Sequence, residues 1–101
     1  MLAFTALADT TRLAIIDELS TGERAVGDLV ARLGLRQPTI SQHLKVLKDA
    51  GLVRVRPEAQ RRIYAVDPDG FEVIELWLER HRRVWGRRLD ALERHMDDNP
   101  S

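Results

Sequence analysis

A chain of 101 residues, 44% hydrophobic and 32% charged, can build one modest core and has no room for a second domain. It has no cysteine, and its longest apolar runs, such as Leu13–Ile16, are four residues; disulfides, thiolate metal sites, cysteine nucleophiles and a membrane span or secretory signal are thereby excluded. The formal charge of zero hides a segregation: through residue 31 two bases face five acids (net −3), from Arg32 to Arg62 eight bases face two acids (net +6), and the remainder carries six bases and nine acids (net −3).

A basic middle between acidic ends is the electrostatic footprint of a polyanion binder. In chain order, Leu2, Phe4 and Leu7 form a short apolar surface that ends at Asp9, an N-cap for a second helix. That helix is predicted to carry Leu13, Ile15, Ile16 and Leu19 inward and to stop near Gly22. Val26, Leu29, Val30 and Leu33 follow at i, i+3, i+4 and i+7, and Gly34 supplies the left-handed residue that ends a third helix. Gln37 and Pro38 open a fourth, whose apolar face is Ile40, Leu44 and Leu47 and whose end is Gly51. Only Gly34, Leu35 and Arg36 separate the two, so they must cross steeply over a shared seam, with Leu35 at the corner. This is a helix-turn-helix.

After Gly51 the period changes to two. Val53 and Val55 alternate with Arg54 and Arg56, Pro57 to Gln60 make a turn, and Arg62 and Tyr64 alternate with Ile63 and Ala65, which predicts a two-stranded hairpin with arginines at its tip. Asp67, Pro68 and Asp69 cap a long last helix, expected over 70–97. Phe71, Ile74, Leu78, His81, Trp85, Leu89, Leu92 and Met96 form its stripe, and Asn99 and Pro100 end it.

A fourth helix with Ile40, Leu44 and Leu47 inside must turn Thr39, Ser41, Gln42 and Lys45 outward. Hydroxyls, an amide and an ammonium can read base edges and hold phosphates in a major groove. Arg54, Arg56, Arg61 and Arg62 of the hairpin would add a second basic element, making a two-point grip on a duplex.

The run Leu35-Arg36-Gln37-Pro38-Thr39-Ile40-Ser41-Gln42-His43-Leu44-Lys45-Val46-Leu47-Lys48-Asp49-Ala50-Gly51-Leu52-Val53, preceded by Leu7-Ala8-Asp9-Thr10-Thr11-Arg12, resembles the ArsR/SmtB family of bacterial winged helix-turn-helix repressors. The resemblance covers about residues 3–66. It implies a mainly α winged helix-turn-helix of about five helices with a two-stranded wing, in a single domain spanning residues 1–101. It further implies a homodimer, formed through the first and last helices, that binds a partly palindromic double-stranded operator and blocks transcription. On the family's pattern Gln37, Thr39, Ser41, Gln42 and His43 fall in the DNA-reading helix, and Arg54 to Arg62 in the wing. Arg36 stands where the family commonly has a serine cap and is expected to touch a phosphate; Ala59 stands where related wings often have glycine. The dimer surface is expected from Leu2, Phe4, Leu78, His81, Trp85, Leu89, Leu92 and Met96.

Many family members sense metals through Glu-Leu-Cys-Val-Cys-Asp-Leu, for which this chain has Glu23-Arg24-Ala25-Val26-Gly27-Asp28-Leu29. Both thiolates are gone. A second family site pairs Asp-x-His with His-x-x-Glu ten residues later on the last helix. Here Glu79, His81, His95 and Asp98 are the nearest set, and thirteen residues separate the histidines. Three extra residues displace the second pair by about 4.5 Å along the axis and about 60° around it. No metal and no cofactor are therefore expected, a histidine/carboxylate metal sensor being the alternative, and any effector would be an organic ligand in the dimer interface. The spacing of Trp77, Trp85, Leu89, Asp90, Leu92 and Glu93 also resembles a metal-free subgroup that represses its own operon. Catalysis is not expected, because the six glycines are scattered and no histidine has a serine partner. A winged-helix module used only for protein contacts is the other rival, though it would not need eight bases in 31 residues. The expected location is the cytoplasm, on the nucleoid.

Overall fold

In the computed structural model, which describes residues 2–98, five helices and three short strands follow in the order α1 (Leu2–Leu7), α2 (Thr10–Ser20), β1 (Arg24–Ala25), α3 (Val26–Leu33), α4 (Gln37–Asp49), β2 (Val53–Glu58), β3 (Arg61–Val66) and α5 (Pro68–Asp98). The expected stop at Asn99 and Pro100 lies outside the described residues.

Local chemistry sets the boundaries. Asp9 is extended (φ −153°) and its carboxylate accepts the Arg12 backbone N–H at 3.0 Å, as an N-cap should. Gly34 (φ 67°) ends α3 with its N–H on the Val30 carbonyl. After α4 the N–H groups of Gly51 and Leu52 bond back to the carbonyls of Lys48 and Leu47, each at 2.9 Å. This pair of bonds is a Schellman motif, and Gly51 (φ 77°) is its left-handed residue. It swings the chain directly from α4 into β2.

The core sits where α2, α3 and α4 meet one face of the sheet. Ile15, Leu29, Ile40, Leu44, Leu47 and Leu52 are fully buried, with Val53 and Tyr64 beside them. Each such side chain contributes about 1.5–3 kcal/mol of transfer free energy. Leu35 packs at the corner of the α3–α4 turn, as expected. Leu13 does not join the core: it is 45% exposed. At 100° per residue it lies about 120° around α2 from Leu19, beyond the edge of the buried face.

The sheet is three-stranded and antiparallel, in the order β1-β3-β2, rather than a two-stranded hairpin. Arg24 pairs with Tyr64 and Ala25 with Ile63. The hairpin turn is also tighter than expected. Pro57 and Glu58 belong to β2, opposite Arg62 and Arg61, and only Ala59 and Gln60 turn the chain. Val53 faces Val66 and Val55 faces Tyr64 on the core side. Arg54, Arg56 and Glu58 share the opposite side with Ala65, Ile63 and Arg61.

Helix α5 begins on the body and then leaves it. Phe71 and Ile74 pack on the core, and the Trp77 ring meets Phe4 of α1 edge-on at 5.5 Å. His81 stacks on Trp77 at 4.2 Å, and its Nδ1 lies 2.8 Å from the Trp77 carbonyl oxygen, to which it can only donate. Leu78, Trp85, Leu89, Leu92 and Met96 along the helix are exposed, as are Val73, Leu76 and Val84 outside the expected stripe. The radius of gyration is 17.6 Å, against about 13 Å for a compact chain of this size. A 31-residue helix is about 46 Å long, and most of it projects from the body.

Candidate nucleic-acid interface

Because Ile40, Leu44 and Leu47 turn inward, the opposite face of α4 is delivered to solvent as a row. Gln37, Ser41, Lys45 and Lys48, at i, i+4, i+8 and i+11, together with Asp49, line one side of a cleft of about 760 Å³. Gln60, Arg61 and Arg62 of the wing line the other, and Ala25, Val26 and Gly27 at the start of α3 lie between them. Arg62, opposite Pro57, projects to the helix side of the sheet just past the end of the core, which is why it reaches the cleft.

The structure therefore brings Gln37, Ser41, Lys45, Arg61 and Arg62 of the expected set together. Gln42 is exposed but lies outside this cleft, and Thr39 is half-buried. Arg36 is the N-cap residue of α4, extended at φ −74° and ψ 148°, with no capping bond from its side chain; the guanidinium is left at the helix entrance. Lys48 and Gln60 were not among the expected residues. The spacing of four from Ser41 to Lys45, continued by three, was signal enough for Lys48; Gln60 carried no signal beyond its place in the turn.

His43 faces elsewhere. Its Nδ1 lies 3.3 Å from an Arg12 guanidinium nitrogen and 3.9 Å from the Asp9 carboxylate. A guanidinium only donates, so Nδ1 is the acceptor in this contact. Arg12 also donates to the carbonyls of Ala6 and Thr5 at the end of α1. His43 thus joins α4 to the α1–α2 junction instead of entering the cleft. The backbone N–H of Arg12 holds the Asp9 carboxyl below its ordinary range, with the charge of Arg12 adding to the effect.

The wing arginines divide into two kinds. Arg56 is engaged by Glu23, at 2.6 Å and 3.4 Å through two nitrogens, and lies 3.5 Å from Glu58. That hydrogen bond lowers the Glu23 carboxyl below its usual range and raises Arg56 above its own. Arg61 is paired with Asp28 at 3.3 Å. Among the described residues, Arg54 and Arg62 form no ion pair, and neither do Arg36, Lys45 and Lys48. These uncompensated cations lie along α4, at its entrance and on the wing; among the described residues Arg80, Arg83, Arg87 and Arg88 of α5 form no ion pair either.

Among the described residues, no three histidine, aspartate or glutamate side chains converge as metal ligands, and no helix is long and apolar enough to cross a membrane.

Comparison with known proteins gives consistent answers. Residues 9–55 match the family described as bacterial regulatory protein, arsR family. The chain is 44% identical over 95 residues to the HTH-type transcriptional regulator Rv2034 of Mycobacterium tuberculosis, covering 94% of this chain and 86% of that protein. It is 46% identical over 63 residues to the biofilm growth-associated repressor of Agrobacterium fabrum, covering 62% of this chain and 54% of the repressor. Among solved structures, one described as a possible transcriptional regulator for arsenical resistance superposes with a TM-score of 0.78 at 32% identity, covering 94% of this chain and 96% of its own. The homodimeric winged helix-turn-helix DNA-binding domain of a possible ArsR-family regulator from Mycobacterium bovis superposes with a TM-score of 0.66 at 34% identity, over 79% of this chain and 78% of that one.

Proposed function

The chain belongs to the ArsR family of bacterial regulatory proteins, and from that premise we propose that it is a homodimeric repressor that grips a partly palindromic operator with α4 and the wing of each subunit. One observation carries the reading: the row of Gln37, Ser41, Lys45 and Lys48 faces Arg62 across an open cleft, with its cations uncompensated. The polar groups of α4 read base edges in a major groove, while Lys45, Lys48, Arg36 and Arg62 hold the flanking phosphates. Two copies place two such helices about 34 Å apart, one turn of duplex. The first and last helices make the contact between subunits. The M. bovis neighbour, itself homodimeric, and the bare apolar stripe of α5 both support this. With no cysteine in the chain, control of the repressor runs through something other than thiolate-bound metal, either an organic effector in the dimer interface or protein concentration alone. The protein acts where the operator is, on the nucleoid.

Selection of bound fragments from a random DNA pool tests the proposal. Enrichment of an inverted repeat with half-sites one helical turn apart is expected, and an unenriched pool would overturn sequence-specific reading. Affinity for the enriched duplex should fall steeply with salt, by about 0.9 in log K per log salt for each phosphate neutralised. A flat dependence would instead favour a module built for protein contacts.

A further inference from the structure

The Glu23–Arg56 pair ties the segment before β1 to β2 of the wing through side chains alone. Glu23 stands just before β1, 33 residues from Arg56, and among the described residues its carboxylate has no other polar partner. It caps no helix and is half exposed, as is Arg56. Asp28, which holds Arg61, is different: its carboxylate also accepts the Ala25 N–H at the start of α3, so it serves the fold as well as the wing.

What Glu23 does is occupy a guanidinium fork. Two nitrogens of Arg56 meet two oxygens of one anionic group, the arrangement in which arginine also binds a phosphate. Arg56 projects from the wing beside the unpaired Arg54, over a small hollow of about 230 Å³ floored by Ile63 and Ala65. This side of the wing is turned away from the α4 cleft, so a strand of duplex that wraps over the wing would meet Arg54 unpaired and Arg56 engaged by Glu23 and, at 3.5 Å, by Glu58. Exposed pairs of this kind are weak and exchange readily.

We propose that Glu23 acts as an internal phosphate mimic on Arg56, so that the duplex must displace or tolerate it, and that this competition sets the affinity of the wing for DNA. The proposal rests on the DNA-binding reading above. It assigns Glu23 to the interface as an affinity-determining residue and Arg56 as the phosphate ligand that Glu23 holds in reserve. Since the competition involves backbone phosphates alone, it acts on every duplex irrespective of sequence.

A double-mutant cycle tests it. The wild-type protein, Glu23→Gln, Arg56→Gln and the double variant are titrated against a fluorescein-labelled duplex of mixed sequence at one salt concentration, with fluorescence anisotropy as the readout. Glu23→Gln should tighten binding by about fivefold or more for a dimer with two wings. In the Arg56→Gln background the same change should do almost nothing. A gain of equal size in both backgrounds would mean that a negative charge near the duplex has merely been removed, and would overturn the proposal. Weaker binding by Glu23→Gln would also overturn it, since Glu23 would then brace the wing in its binding position. Circular dichroism of each variant, with helix content and unfolding midpoint close to wild type, shows that affinities of folded proteins are being compared. If all four proteins bind the duplex with the same affinity, this proposal falls and the DNA-binding reading stands. If none binds any duplex, both fall.

Discussion

At the scale of single residues, two small side chains carry unequal constraints. Gly70 sits in the first turn of α5 against the turn between α4 and β2, where an added Cβ would overlap the carbonyl oxygen of Gly51. A backbone carbonyl cannot rotate aside as a flexible side chain could, so α5 itself would have to lift off. Gly70→Ala is expected to cost about 3 kcal/mol or more, measured by urea unfolding. Ala59 presents the reverse case. It turns the hairpin at φ 55°, in the left-handed region that disfavours a Cβ. Ala59→Gly should therefore stabilise the protein by about 0.5–1 kcal/mol, raising the unfolding midpoint by a few degrees. Acid should act through Asp9 and Glu23, both held below their ordinary values of 3.8 and 4.5 by partners that only the folded chain assembles. A carboxyl depressed in the folded state contributes stability above its unfolded value and loses it as pH falls through the folded one. The unfolding midpoint should thus decline below about pH 4.5, and Asp9→Asn should flatten that decline while lowering stability at neutral pH.

At the scale of elements, the start of α4 shows a stable cap exchanged for a charge. Arg36 occupies the N-cap position without bonding a backbone N–H, a role that serine fills well. Arg36→Ser should gain about 0.5–1 kcal/mol of stability and weaken DNA binding across all sequences, read by thermal unfolding and anisotropy together. A gain in both would remove Arg36 from the interface. The same element separates what was legible in the sequence from what was not. Its buried face followed from period alone, since Ile40, Leu44 and Leu47 leave little choice of orientation, and Gly34 and Gly51 marked where α3 and α4 must end. Period does not reveal what the half-buried flanks meet. His43 is turned to Arg12, 31 residues away, by a contact that exists only after α1, α2 and α4 have docked. Strand β1 was hidden for a similar reason. Two residues cannot display an alternation, and Arg24 and Ala25 become a strand because β3 offers them an edge. Nor could the charge pattern, which located the basic middle of the chain, show that Glu23 and Asp28 reach across to cover two of its arginines.

At the scale of the whole molecule, the question is what covers α5. Leu78, Trp85, Leu89, Leu92 and Met96 are each close to half exposed or more, along a helix that extends the molecule to 59 Å in its longest dimension. Soluble monomers rarely expose contiguous apolar patches beyond a few hundred Å², and a self-complementary face is what a two-fold interface requires. Phe4 and Trp77 show how the interface would be framed, because they already fasten α1 to the root of α5 and so present both helices as one surface. The proposed DNA-binding cleft lies at α4 and the wing, away from the stripe, so on this reading dimerisation and duplex contact use different residues and can be separated by mutation. Leu89→Glu, at a position 62% exposed, should leave each subunit folded. Placed twice on a symmetric interface, it brings two carboxylates into an apolar contact. Sedimentation at micromolar concentration should show the wild type as a dimer and the variant as a monomer. The variant should then lose about a hundredfold or more in affinity for a palindromic duplex, because the second half-site is no longer bound intramolecularly, while its weak affinity for a single half-site persists. A variant that remained monomeric yet bound the palindrome as tightly as the wild type would separate the α5 stripe from function altogether.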